Sequence, residues 1–112
     1  MSDELSQEDA CSLYGSPFVP PDADEKLGIA LSSLGEAPLN ALRHAPENGT
    51  SGWYVWGGEF STDPDFFQPL HVHHLVEHAP RLVPFLALGP GWRVLLGPGH
   101  TDVWQDASLL GV

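Results

Sequence analysis

Trp53-Tyr54-Val55-Trp56, closed by Gly57-Gly58, is the stretch on which the fold turns. Aromatic and β-branched residues without a break favour a strand, and the two glycines end it. If the strand alternates, Trp53 and Val55 face one way and Tyr54 and Trp56 the other. Rings of that size on both faces call for cover on both, which suggests a central strand with a helix on one side.

The neighbouring segments extend this reading. Glu47-Asn48-Gly49-Thr50-Ser51-Gly52 is a cluster of turn formers, and Leu39 to His44 before it is short and mixed in pattern, so the order is strand, loop, strand. Ser61 to Asp65 is an acidic loop built on Asp63-Pro64-Asp65. Trp92 to Leu96, a turn at Gly97-Pro98-Gly99, and Thr101 to Trp104 predict a β-hairpin. Two stretches carry helical spacing. Leu27, Ala30, Leu31 and Leu34 recur at i, i+3, i+4, i+7 between an Asp22 or Asp24 start and a Gly35 stop, although Gly28 weakens a helix interior by about 1 kcal/mol. Leu70 to Ala79 repeats the pattern through Val72, Leu75, Val76 and Ala79, with Pro69 as first helical residue and Pro80 as the break. A turn or short helix follows through Leu82, Val83, Phe85 and Leu86. The expectation is a small α+β domain with a mostly antiparallel sheet and two or three helices packed on it.

A chain of 112 residues, 42% of them apolar, holds one core. Fifteen acids face four bases, for a net charge of −11, which argues against nucleic acid and anionic membrane as partners. Residues 1 to 25 carry −7 of that charge and no Lys or Arg. With Ser16-Pro17 and Pro20-Pro21 inside it, the 1–21 segment is expected to be acidic and flexible, apart from a weak turn near Glu8 to Leu13, with the domain spanning 22–112. Cys11 is the only cysteine, so there is neither an intrachain disulfide nor a thiolate metal site. A cytoplasmic setting fits best. No signal segment or membrane span is visible.

His71, His73, His74, Glu77 and His78 crowd into eight residues. On one α-helix, His71, His74 and His78 share a stripe, and His74 and His78 stand one turn apart as two candidate metal ligands. His44, His100 or Glu59 would have to complete the set, and no HExxH pattern is present. The bland reading, histidines on an amphipathic helix, is favoured, so no metal or other cofactor is assigned. Glu59, Asp63, Asp65, Asp102 and Asp106 lie in turn-rich settings that favour ordinary acidity over acid–base catalysis. Ser16, Ser51 and Ser108 lack a nucleophile-elbow context, and Cys11 has acidic neighbours that suppress its thiolate. No catalytic residue is assigned.

Pro38 to His44, Gly52 to Glu59, Asp65 to Val72, Gly89 to Leu95 and Asp102 to Leu110, in that order and with that aromatic spacing, resemble the small bacterial proteins of the Imm33-like immunity family. The acidic start before residue 22 lies outside the resemblance. It implies a protein partner, a cognate toxin neutralised by stoichiometric complex formation. An acidic surface suits a basic toxin because complementary potential speeds encounter. Glu47, Glu59, Asp63, Asp65, Asp102 and Asp106, with Trp56 and Phe66 as exposed aromatic anchors, are the candidate partner-binding residues. The alternatives are a small metal-binding protein or enzyme using the histidine helix, and an adaptor domain.

Overall fold

The computed structural model describes residues 6–47 and 49–110. Residues 1–5 of the expected flexible segment and Asn48 of the expected turn lie outside the described residues. Six strands form one mixed sheet: β1 (Lys26–Ile29), β2 (Leu39–Arg43), β3 (Thr50–Gly57), β4 (Gln68–His71), β5 (Trp92–Gly97) and β6 (His100–Gln105). Their spatial order is β4-β1-β3-β2-β5-β6. β1 and β3 run parallel, and the other pairings are antiparallel. α1 (Gln7–Tyr14) and α2 (Leu75–His78) each pack against a 3-10 segment from Pro80 to Phe85. The α+β class and the mostly antiparallel sheet are as the sequence predicts. Among the described residues no helix is long and apolar enough to cross a membrane.

The aromatic strand lies third in the sheet, with a partner on each side. Its alternation divides the molecule. Trp53 and Val55 enter the main core with Leu27, Ile29, Ala41, Val94 and Leu96 from the sheet and Leu75, Leu82 and Leu88 from the helical side. Full burial of aliphatic residues such as Ile29, Leu75 and Leu82 contributes roughly 1.5–3 kcal/mol each. Arg43, 1% exposed, lies in the same layer. Its Nε donates to the Ser51 carbonyl at 2.9 Å, and its Nη1 donates to Val19 at 2.6 Å, Leu88 at 2.7 Å and Leu86 at 3.3 Å. The guanidinium also lies 5.7 Å from the Trp53 ring centroid. Burial lowers its pKa, opposed by the Glu25 carboxylate; a guanidinium starts so high that it stays charged at neutral pH. Arg43 thus joins β2 and β3 to the chain after α1 and to the chain after the Pro80–Phe85 turn.

Both expected helices are corrected. Lys26–Ile29 is a strand, because Leu27 and Ile29 both point into the core while Leu31 is exposed. Gly28 is where β1 passes beneath the Tyr54 ring: a Cβ there would stand 2.7 Å from Tyr54 Cδ1. Strand β4 takes Pro69 and Leu70 out of the second helix, leaving a 3-10 turn (Val72–His74) and the four residues of α2. Pro69 is admissible there because β4 is an edge strand. Val72, Leu75 and Ala79 still face inward, which is the part of the helical pattern that survives.

The N-terminal expectation is corrected too. Ser6 caps α1 by accepting from the Asp9 amide at 3.0 Å, and Asp9 accepts in return from Ser6. Ala10 and Cys11 are buried in the main core. Gln7 Nε2 donates to the Val83 carbonyl at 3.0 Å, and Val19 N donates to the Ala87 carbonyl at 2.7 Å. Phe18 forms a β-bridge with Leu88. Residues 6–19 are therefore built into the domain, with no structural boundary at residue 21. Burial, and not the expected acidic neighbours, raises the Cys11 thiol pKa, opposed by Ser16 and by the Arg43 guanidinium.

Candidate functional site

The face of the sheet away from the helices carries a continuous row: Pro69, Gly28, Tyr54, Leu42, Arg93 and Trp104, one residue from each strand. A second row places Trp56, Asn40, Leu95 and Asp102 side by side. The loop between β3 and β4 and the C-terminal turn (Ala107–Leu110) cover part of this face, so Ala30, Leu42 and Trp56 form a small second core with Phe66, Phe67 and Leu109 against them. Most of the rings meet edge to face: Trp56 and Phe60 at 5.3 Å, Tyr54 and Phe67 at 5.2 Å, Phe66 and Phe67 at 4.9 Å. Such contacts fix ring orientation while leaving ring edges in solvent.

The expected anchors are reassigned by exposure. Trp56 is 5% exposed and sits beneath the others, so it supports the face without presenting itself; Phe66 is half-buried. On this face Phe60 (57%), Trp104 (39%) and Tyr54 (38%) are open to solvent; Phe18, exposed at 51%, lies apart from it at the bridge to Leu88. Sequence alone ranks Trp56 with Tyr54 because only the loop after β3 distinguishes them. Alternation already placed both on the side away from Trp53, which was the available signal.

The candidate carboxylates divide into two groups. Glu47 lines a groove of about 310 Å³ with His44, Tyr54 and Leu109. Glu59 borders a shallow depression of about 820 Å³ beside Phe60. Asp102 stands in the Trp56 row and accepts from His100 Nε2 at 2.8 Å, and Asp65 is exposed on the loop. Asp63 Oδ1 accepts from the Asp65 amide at 2.9 Å, so that exposed carboxylate also shapes its own turn. Asp106 is different. It accepts from Arg93 at 3.2 Å and from the Ser108 hydroxyl at 2.6 Å, and these bonds, Ser108 first, hold its carboxyl below the usual range. Its charge is used internally to secure the C-terminal turn and to neutralise Arg93, whose guanidinium lies 5.5 Å from the Trp104 ring centroid.

A groove of about 240 Å³ runs beside Tyr54, lined by Lys26, Gly28, Thr50, Phe67, Gln68 and Pro69 among others. Its titratable groups are the Lys26 ammonium and the Tyr54 phenol, with no carboxylate, imidazole or thiol on its lining. The histidines gather elsewhere, and the expected pair is corrected. His74 and His78 do not converge with His44, His100 or Glu59: His44 Nδ1 donates to the Leu109 carbonyl at 3.0 Å, and His100 serves Asp102. Instead His71, His73 and His74 come together, with a candidate ligand atom from each within 4.8 Å of the others. His74 Nδ1 donates to Glu77 Oε2 at 2.7 Å, and that bond holds the Glu77 carboxyl below its ordinary range. The shift from α-helix to strand plus 3-10 turn changed which histidines are neighbours.

No curated protein and no solved structure matches the chain. A model of the Imm33-like domain matches residues 6–106. The match includes α1 and all six strands, so the acidic start from residue 6 lies inside the family domain, contrary to the expectation that it lay outside. With the match running from the cap of α1 to the Asp106 that closes the open face, the chain belongs to the Imm33-like family.

Proposed function

We propose that this chain is an immunity-type protein that binds a cognate bacterial toxin in stoichiometric complex and neutralises it in the cytoplasm of the producing cell. Family membership carries the reading, since it points to an immunity-type protein, and the partly uncovered aromatic sheet face is the surface we assign to it. Tyr54, Phe60 and Trp104 supply amphipathic or apolar anchors, and Glu47, Glu59, Asp63, Asp65 and Asp102 frame them. Aromatic anchors with a charged rim are the usual division of labour at a protein interface. A net charge of −11 favours a basic toxin, through a faster encounter that salt slows. The mode of action is occupation of the toxin surface, with no bond-making step.

The test begins with the genes beside this one, from which a candidate toxin is cloned and expressed. Co-expression is expected to restore growth, and the two purified proteins to form an equimolar complex whose association rate falls as salt rises. Asp63→Asn combined with Asp65→Asn should slow association, and Tyr54→Ala should speed dissociation. A neighbouring toxin that kills equally with and without the chain, and forms no complex with it, overturns the reading.

A further inference from the structure

We propose that His71, His73 and His74 form a binding site for a borderline divalent transition metal of the Zn²⁺ class, with Glu77 as the carboxylate that orients His74. The proposal does not depend on the toxin-binding reading.

The local fold assembles the three rings. His71 ends β4, and Val72 turns inward as the chain enters a 3-10 turn. His71 is the N-cap of that turn and His74 its last residue, which puts both rings on the same side of the chain, with centroids 6.3 Å apart and planes tilted by 53°. The ring centroids of His73 and His74 are 4.1 Å apart, and those of His71 and His73 are 5.5 Å apart with planes only 16° from parallel. Candidate ligand atoms from all three rings lie within 4.8 Å of one another. Tetrahedral coordination with ordinary Zn–N bonds needs nitrogen separations of about 3.3 Å. His71 and His73 are exposed and His74 is partly so, and small side-chain rotations close the difference.

Glu77 is the second observation. Its carboxylate accepts from His74 Nδ1 at 2.7 Å, which fixes the tautomer and leaves Nε2 with its lone pair free. A carboxylate behind a ligating imidazole is the usual outer partner of a histidine–metal bond, since it raises ligand basicity and holds the ring still. The donor set selects the metal: imidazole nitrogens without thiolate suit Zn²⁺ and its neighbours, whereas Ca²⁺ and Mg²⁺ require oxygen.

Charge also favours a cation. The acidic turn Asp22-Ala23-Asp24-Glu25 runs alongside, with His73 N donating to the Ala23 carbonyl at 3.3 Å and Val72 N to the Glu25 carbonyl at 2.9 Å. Lys26, opposite His71 in the β1–β4 register, opposes them. Three protein ligands leave one coordination position to solvent, so the site is of the open kind.

The tag-free chain, freed of metal by a chelator, is titrated with Zn²⁺ by calorimetry and with Co²⁺ by absorption. Saturation at one ion per chain is expected, with Co²⁺ bands of four- or five-coordinate intensity. His73→Ala and His74→Ala should each abolish saturable binding. Glu77→Gln should weaken it about 10–100-fold, while His78→Ala and His100→Ala leave it within about twofold. Imidazole ¹⁵N shifts of the unsubstituted protein read the ligands without any variant: His71, His73 and His74 should move on Zn²⁺ addition, and His44, His78 and His100 should not. Absence of saturation, an equal loss in His78→Ala, or shifts at a different set of rings overturns the proposal.

Discussion

The two faces of the sheet solve opposite problems with the same strands. Trp53 and Tyr54 are adjacent in β3, yet one is 1% exposed under the helices and the other 38% exposed on a face that a loop and the C-terminal turn cover only in part. On the covered side, aliphatic packing is closed by a buried guanidinium that donates to four carbonyls. On the open side, rings lean edge to face and a loop rests on them. The covered face holds the fold together; the open face keeps apolar surface accessible, and acidic groups around it keep that surface in solution. A domain that must present rings to a partner needs its stability to come from elsewhere.

The largest effect that tests this contrast is expected at Arg43. Arg43→Ala removes a buried charge and strands several carbonyls, so urea unfolding should show a loss of about 3–5 kcal/mol. A loss no greater than that of an exposed residue would break the comparison. Next comes Gly28→Ala, where the new methyl meets the Tyr54 ring; about 1–3 kcal/mol is expected. Tyr54→Ala should recover part of that loss in the double variant, and simple additivity would show that the contact is not the cause.

Phe60→Ala sharpens the contrast from the other side. Its stability cost should be about 1 kcal/mol or less, while affinity for the proposed toxin partner should fall about tenfold or more, as for an aromatic anchor. The smallest effect concerns Asp106. Its folded-state pKa is depressed below the ordinary 3.8 by Ser108 and Arg93, so its contribution is complete above that value and is lost as pH falls through the lower folded value. The difference in melting temperature between the native chain and Asp106→Asn should therefore be constant near neutral pH and shrink below about 3.8. A difference that grows in acid would have the wrong sign.

How legible each part was depends on what held it in place. The β2–β3 and β5–β6 hairpins are local, with turn formers between patterned strands, and both follow from sequence. β1 and β4 are not local: each is a strand because it pairs with a distant partner, β1 with β3 in parallel and β4 along the outer side of β1. Helical spacing around Gly28 and Pro69 competes with that pairing and loses, because the sheet buries Leu27 and Ile29 more completely than a short helix could. α1 carried a readable cap in Ser6 and Asp9, but charge and proline content outweighed it, and the core that receives Ala10 and Cys11 arrives much later in the chain. At the candidate site the acids and the aromatic strand were readable. The exposure of Phe60 depends on the path of a loop, and the grouping of His71 with His73 depends on a strand ending where a helix was expected.

The attachment of the N-terminal segment has a consequence for biosynthesis. Gln7 waits for Val83, which is 76 positions later, and Ser16 waits for Gly89 at a separation of 73. At ribosomal speeds of about 5–20 residues per second, the opening helix spends roughly 4–15 s without its docking surface. A leading stretch that is rich in carboxylates and lacks Lys and Arg repels its own copies on a polysome during that interval.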